Sequence, residues 1–219
     1  GFQKQCSINQ DAILIDVSSE VPYLGGDGAE IPVGLYSDFS VSGHSGLACA
    51  TGYIGIRDES SAFLSPTRAQ AAAIWFERGS LTYLLPDFRH RKTAKEISFT
   101  AEMSPDFIGG GKIESSRVTF SLNGTRVGSC EIFAPTGGRR GFLNPNWYDD
   151  SMPQFGSLHT LRVNGSGTFL DGEKLSGQTP TSLGRIERIS IETEKGIMLF
   201  GAGFGDYNSH IRVGVRYED

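Results

Sequence analysis

Apolar residues recur at every second position through much of this chain. Ile97 and Phe99 share a face within Glu96–Glu102. Val118, Phe120 and Leu122 alternate, as do Leu158, Leu161 and their neighbours up to Val163, and Ile211, Val213, Val215 and Tyr217 lie on one side. Period two is the signature of a half-buried strand. Further strands are read at Asp11–Val17, Tyr53–Ile56, Arg188–Thr193 and Ile197–Phe200. Ile31, Val33, Leu35, Phe39 and Val41 occupy odd positions of a strand interrupted near Ser37.

Turn chemistry separates these runs. Asn123-Gly124 is the preferred pair for a two-residue type I′ hairpin, and Asn164-Gly165 and Asp171-Gly172 carry the same signal. Gly43–Cys49 reads as a tight glycine-bounded turn, and Arg78-Gly79 as the centre of a hairpin. Glu20–Gly28 reads as a loop and Ser104–Gly111 as a mobile one. One helical segment is expected: Ser65 offers an N-cap, Pro66 suits the first helical position, and Thr67–Ala73 is alanine-rich. The charged stretch Asp87–Ala94 reads as a link. It divides residues 1–90, a β-rich segment packing on or contributing to the sandwich, from a ligand-binding sandwich at 91–219. Many short strands without βαβ alternation predict an all-β fold, a jelly-roll-type (galactose-binding-like) β-sandwich with an N-terminal β extension and one short helix.

Composition narrows the function. The chain has 219 residues, 29 of them glycine and 9 proline, and a net charge of -5. Arg139-Arg140 and Arg89–Lys92 are the only local basic spots, so the chain lacks the footprint of a nucleic-acid binder. Three scattered cysteines, Cys6, Cys49 and Cys130, form no CxxC pair, which argues against zinc and for a reduced, cytoplasmic setting. No apolar run approaches the ~18–20 residues of a membrane-spanning helix, and no secretory signal is visible. The abrupt start at Gly1 reads as that of a fragment.

No nucleophile elbow, HExxH or Walker loop is present, and Gly201–Gly205 lies between two strands rather than before a helix. Glu102, Asp106, Asp149, Asp150, Asp171 and Asp206 supply carboxylates, but nothing in their spacing singles out a catalytic pair. The chain therefore reads as a non-enzyme with no metal and no cofactor. Its densest chemistry lies between Gly137 and Gly172. Trp147 and Tyr148 can stack on a sugar ring, with Arg139, Arg140, Asp149 and Gln154 as hydrogen-bond partners. Equally, Trp147 can plug the end of the sandwich while Arg139 pairs with Asp149. His44 is the remaining candidate ligand-binding residue, as readily a turn or core histidine.

A set of short motifs runs in order along the chain: Ile31-Pro-Val-Gly-Leu-Tyr, Gly46-Leu-Ala, Phe63-Leu-Ser-Pro-Thr-Arg, Ile74-Trp-Phe-Glu-Arg-Gly, Leu122-Asn-Gly, Gly138-Arg-Arg-Gly, Pro145-Asn-Trp-Tyr, Gln154-Phe-Gly-Ser-Leu, Gly167-Thr-Phe-Leu-Asp-Gly and Leu199-Phe-Gly-Ala-Gly-Phe-Gly-Asp-Tyr. In this it resembles the C-terminal sensor region of bacterial transcription regulators that carry an ArsR-like winged helix at the N-terminus. His44-Ser45 stands where that group often has Thr-Cys, and Trp147-Tyr148 where it often has Trp-Trp. The resemblance implies an effector-sensing, homodimer-forming region. DNA would be contacted only through an N-terminal domain outside these residues. The resemblance does not name the effector; the jelly-roll reading and the loop aromatics suit a small molecule such as a sugar or sugar derivative. The alternative is a non-catalytic carbohydrate-binding module of a secreted enzyme.

Overall fold

A computed structural model describes residues 26–86, 94–106, 111, 113–175 and 186–217. Thirteen strands are found among them: β1 (Gly26–Ile31), β2 (Tyr36–Cys49), β3 (Gly52–Ile54), β4 (Ala73–Leu84), β5 (Ala94–Pro105), β6 (Ser115–Leu122), β7 (Thr125–Phe133), β8 (Ser157–Asn164), β9 (Gly167–Leu170), β10 (Glu173–Lys174), β11 (Arg188–Thr193), β12 (Ile197–Phe200) and β13 (Ile211–Tyr217). Every pairing among them is antiparallel. Among the described residues no helix is long and apolar enough to cross a membrane.

The long strands β4 and β5 organise the rest. β12 joins the first half of β4, Ala73–Phe76, to the last part of β5, Glu102–Pro105. Beyond that seam the two long strands part company. The second half of β4 continues into a leaf ordered β2-β4-β11-β6-β7, and the first half of β5 into a leaf containing β1, β13, β8, β9 and β10. The two leaves face each other across the main core. Leu81, Tyr83, Ile189, Ile191, Val118, Phe120 and Leu122 come from one, and Phe99, Ala101, Met103, Leu161, Val163, Ile211 and Val213 from the other, all buried. The protein is an all-β sandwich of the jelly-roll class, closed at one end by β12.

The turns confirm part of the pattern and amend part. Asn123 and Gly124 both have positive φ, 48° and 79°, as a type I′ hairpin between β6 and β7 requires. Asp171 and Gly172, at 49° and 92°, turn β9 into β10 in the same way. Arg78-Gly79 is not a hairpin, because β4 runs straight through it. Gly79 is needed there for a close approach: a Cβ would stand 1.7 Å from the Ser40 carbonyl oxygen of β2. Gly43–Cys49 is likewise not a turn. It belongs to β2, whose register shifts between Ser42 and Ser45, so the glycine marks a bulge.

Ile31–Val41 is two strands rather than one. A tight turn in which the Leu35 N–H donates to the Pro32 carbonyl (2.8 Å) separates β1 from β2. Gly26–Gly28 lie in β1 rather than in a loop, and Ser104 and Pro105 complete β5 rather than opening one. The helical segment is a 3₁₀ turn, Pro66–Gln70, capped by the Ser65 side chain and preceded by a second at Ser60–Leu64. Asp11–Val17, residues 87–93 of the expected link, and residues 107–110 lie outside the described residues.

Candidate ligand-binding site

At the seamed end each strand has a second face. Opposite the main core, Ala48 of β2, Ala73 and Trp75 of β4, and Met198 and Phe200 of β12 form a second apolar surface. The long connection from β7 to β8 covers it with Tyr148 and Met152, with Trp147 packed partly buried against it. The β12–β13 connection adds Phe204. This explains why Ala73–Phe76 and Ile197–Phe200 are apolar without alternation: both faces are buried.

β5 brings a different surface to the same end. Its main-core residues Ala101 and Met103 alternate with Glu102, Ser104 and Asp106, all three 2 % exposed or less. A buried carboxylate needs partners. Glu102 finds them in the backbones of both covering loops. Its carboxylate accepts from the N–H of Gly156 (2.8 Å), Asp206 (3.0 and 3.2 Å) and Tyr207 (3.1 Å). Gly205 allows that approach with φ +70°, since a Cβ there would stand 2.4 Å from Glu102 Oε1. Burial, opposed by those N–H bonds and aided by the neighbouring Asp206 charge, pushes the Glu102 carboxyl up to about 7.

The loops are also stitched to each other. Asn144 donates through Nδ2 to the Gln154 carbonyl (2.7 Å) and Oε1 (3.0 Å), and its Oδ1 accepts from the Gly205 N–H (2.8 Å). Arg139 donates through both terminal nitrogens to the two oxygens of Asp206, which also accepts from the Phe142 N–H (3.1 Å). The Arg139 guanidinium lies between the rings of Phe142 and Phe155, 4.1 and 3.9 Å from their centroids. The bidentate bond to Asp206 holds its proton even more firmly than usual.

A cleft of about 130 Å³ opens beside this network. Ser104 of β5, Asp106 just beyond its end, Arg139, Asp150 and Gln154 contribute polar groups, while Ile113, Pro135, Met152 and Phe155 contribute apolar wall.

The structure divides the predicted residues. Arg139 and Gln154 line the cleft. Arg140 instead clips its own loop, donating to the carbonyls of Pro145 and Tyr148 and pairing with Asp150. Tyr148 is 2 % exposed and belongs to the second core, where burial raises its phenol well above the usual range. Trp147 is half-buried, meets Tyr53, Tyr148 and Phe204 edge-on, and donates through Nε1 to the Ala50 carbonyl (2.7 Å). Neither ring is among those lining the cleft.

Asp149 does not pair with Arg139. It faces outward and accepts from the Ser151 N–H (2.9 Å), which lowers its carboxyl below the ordinary value. His44 is not among the residues lining the cleft; its Nδ1 is 2.7 Å from Asp58 Oδ1 and its Nε2 3.9 Å from Oδ2 of Asp106, which does line it. No group of three or more His, Cys, Asp or Glu side chains able to hold a metal is present among the described residues.

From this arrangement Trp147→Ala should loosen the β7–β8 loop rather than delete a ligand platform. We expect a loss of about 1–3 kcal/mol, seen as a lower urea midpoint with unchanged far-UV circular dichroism. Unchanged stability with lost ligand binding would restore the stacking role.

Comparison with known proteins yields no matching family model and no matching curated protein. Solved structures of similar architecture are found at low identity. One is the C-terminal CBM6 of LamC, a marine laminarinase from Zobellia galactanivorans: 9 % identity, TM-score 0.42, covering 87 % of this chain and all of that one. Another is a cyclase from Fischerella sp. TAU: 12 % identity, TM-score 0.34, covering 89 % and 86 % of the two chains. A third is a carbohydrate esterase of the Shiga toxin-encoding bacteriophage phi24B: 11 % identity, TM-score 0.30, covering 92 % and 94 %.

Proposed function

We propose that this chain is a non-catalytic ligand-binding domain whose cleft takes a sugar or sugar derivative. The observation that carries this reading is the lining of the cleft. Hydrogen-bonding groups of Arg139, Asp150, Gln154 and Ser104 sit beside the apolar wall of Ile113, Pro135, Met152 and Phe155. A pyranose presents the same mixture, hydroxyls at its edges and C–H groups on its faces. A non-catalytic role fits because the paired carboxylates nearby, Glu102 and Asp206, are engaged by backbone N–H groups and by Arg139.

The test is calorimetric titration with glucose, galactose, mannose, N-acetylglucosamine and glucuronate, with retention on insoluble polysaccharides measured in parallel. Gly138 provides the control. It lines the cleft, and a Cβ added there meets nothing within 4 Å. Gly138→Phe should therefore fill the cleft and abolish binding while shifting stability by less than about 0.5 kcal/mol. A sugar that binds the variant as tightly as the parent is bound elsewhere.

A second reading keeps the same site and assigns the domain to a transcription regulator. It is favoured by where the resembling motifs fall. Gly138–Gly141, Gln154–Leu158 and Leu199–Tyr207 supply Arg139, Gln154, Gly205 and Asp206 to the bonds beside the cleft, and Gly138–Gly141 and Pro145–Tyr148 supply Arg140, Trp147 and Tyr148 to the packing of the covering loop. In a sensor, ligand would shift the population of arrangements of these loops. Coding sequence upstream of Phe2 that specifies a winged helix, with operator binding altered by the sugar, supports this reading. A catalytic domain upstream, with polysaccharide retention, supports the carbohydrate module.

A further inference from the structure

Phe142 is 46 % exposed, yet its ring is held in place. A singly exposed apolar side chain is common and by itself means little. This one is pinned beside the cleft. The Arg139 guanidinium lies 4.1 Å from its centroid, its N–H donates to Asp206 Oδ1 (3.1 Å), and the next N–H, of Leu143, donates to the Gly205 carbonyl (3.0 Å). On the other side of the same guanidinium stands Phe155, which lines the cleft. Phe155, Arg139 and Phe142 therefore carry the cleft wall outward onto the surface.

The junction has polar capacity as well. Of the five N–H donors of an arginine, three are engaged among the described residues, two by Asp206 and one by the Arg140 carbonyl. The side chain is 42 % exposed, so its other donors can reach a ligand hydroxyl. The cleft is also open next to Arg139, since a Cβ added at Gly137 or Gly138, both in its lining, meets nothing within 4 Å. We propose that Phe142 forms a second subsite: an oligosaccharide places one unit in the cleft and the next against the Phe142 ring, with hydroxyls at the junction taken by Arg139. An aromatic ring packs on the C–H face of a pyranose, and a ring already fixed loses little freedom in doing so. This rests on the reading of the cleft as a sugar site and deepens it, naming a chain of sugar units as the ligand rather than a free monosaccharide.

The test compares affinity along chain length. Calorimetric titration pairs glucose with cellobiose and laminaribiose, galactose with galactobiose, mannose with mannobiose, and N-acetylglucosamine with diacetylchitobiose. In at least one series the disaccharide should bind about tenfold tighter than its monosaccharide. Phe142→Ala should bring that ratio to about one, and Phe142→Trp should keep it. Phe142→Leu still covers Arg139 but offers no flat ring, so it should lose the ratio as well. A ratio retained in Phe142→Leu would mean that Phe142 only shields the Arg139–Asp206 pair, and overturns the subsite. If Phe142→Ala does not fold, Phe142→Leu and Phe142→Trp carry the comparison. Monosaccharide binding with no gain for any disaccharide overturns the subsite and leaves the cleft reading standing. A gain that survives Phe142→Ala puts the second unit elsewhere and also overturns it. Disaccharide binding that survives Gly138→Phe yet is lost in Phe142→Ala sinks the cleft reading while supporting Phe142 as a sugar platform. Binding by none of these sugars overturns both.

Discussion

Trp75→Ala should cost this protein about 3–5 kcal/mol, the range for deleting a large buried aromatic side chain. Trp75 is fully buried on the face of β4 turned away from the main core, where it holds up the second core beneath the loops. Opposite it on β2 stands Gly46, and a Cβ there would be 2.4 Å from Trp75 Cζ2. The residue paired with it across the strands therefore brings no side chain to refill the space, and the cavity should persist. Tyr53 meets the indole edge-on at 5.9 Å and would lose that contact as well. Trp75→Phe should be much milder, because the indole N–H makes no hydrogen bond among the described residues and none would be lost.

The measurement is urea unfolding followed by tryptophan fluorescence from Trp147 and by far-UV circular dichroism. In Trp75→Ala the fluorescence change should precede the loss of strand signal, because the loops rest on the second core and the leaves do not. Coincident transitions with a loss below about 1 kcal/mol would mean that the loops do not depend on this face.

The same second core decides what could be read from the chain beforehand. Where one face of a strand meets the core and the other meets solvent, the period of two is plain, as at β6 and β13. The hairpins at Asn123-Gly124 and Asp171-Gly172 were legible because a positive φ at both positions selects those residues. Gly79 misleads for a physical reason. A glycine within a strand can mark a turn or a close crossing, and only the path of β2 distinguishes them.

Arg139 and Gln154 stood out as chemistry in a glycine-rich loop, and they do line the cleft. Trp147 and Tyr148 stood out equally, but aromatic rings in a loop serve a covered sheet face as well as they serve a sugar. Glu102, Asn144 and Asp206 were three ordinary polar residues. Their importance arises from burial of the outer face of β5 beneath two distant loops. A local signal does exist, since Glu102 stands opposite Ile97 and Phe99 in the alternation of Glu96–Glu102, but period two alone cannot tell a solvent-facing position from one that distant loops cover.

Asp206→Ala should be the most damaging single change to the site itself. The Asp206 carboxylate is almost buried, takes both terminal nitrogens of Arg139, and accepts from the Phe142 N–H. Removing it leaves an arginine between two aromatic rings without its counter-charge, and a backbone donor without its acceptor. Arg139 is partly solvated, so the penalty falls below that of a fully buried pair, at about 2–3 kcal/mol. Asp206→Asn should do little better, because the amide turns an N–H₂ group toward one nitrogen of the guanidinium. Arg139→Ala leaves the reverse problem, a buried carboxylate close to Glu102 with only the Phe142 N–H in compensation. Each single variant thus strands one member of a pair, so their effects should not add. The double variant should be less destabilised than the sum of the singles by at least about 1 kcal/mol, measured by urea unfolding as a double-mutant cycle. Sugar binding should be lost in all three, since each removes Arg139 or unpins it from the cleft wall. Additive losses would show that the pair is not coupled in solution, and sugar binding retained in Asp206→Ala would show that the cleft does not need Arg139 held in place.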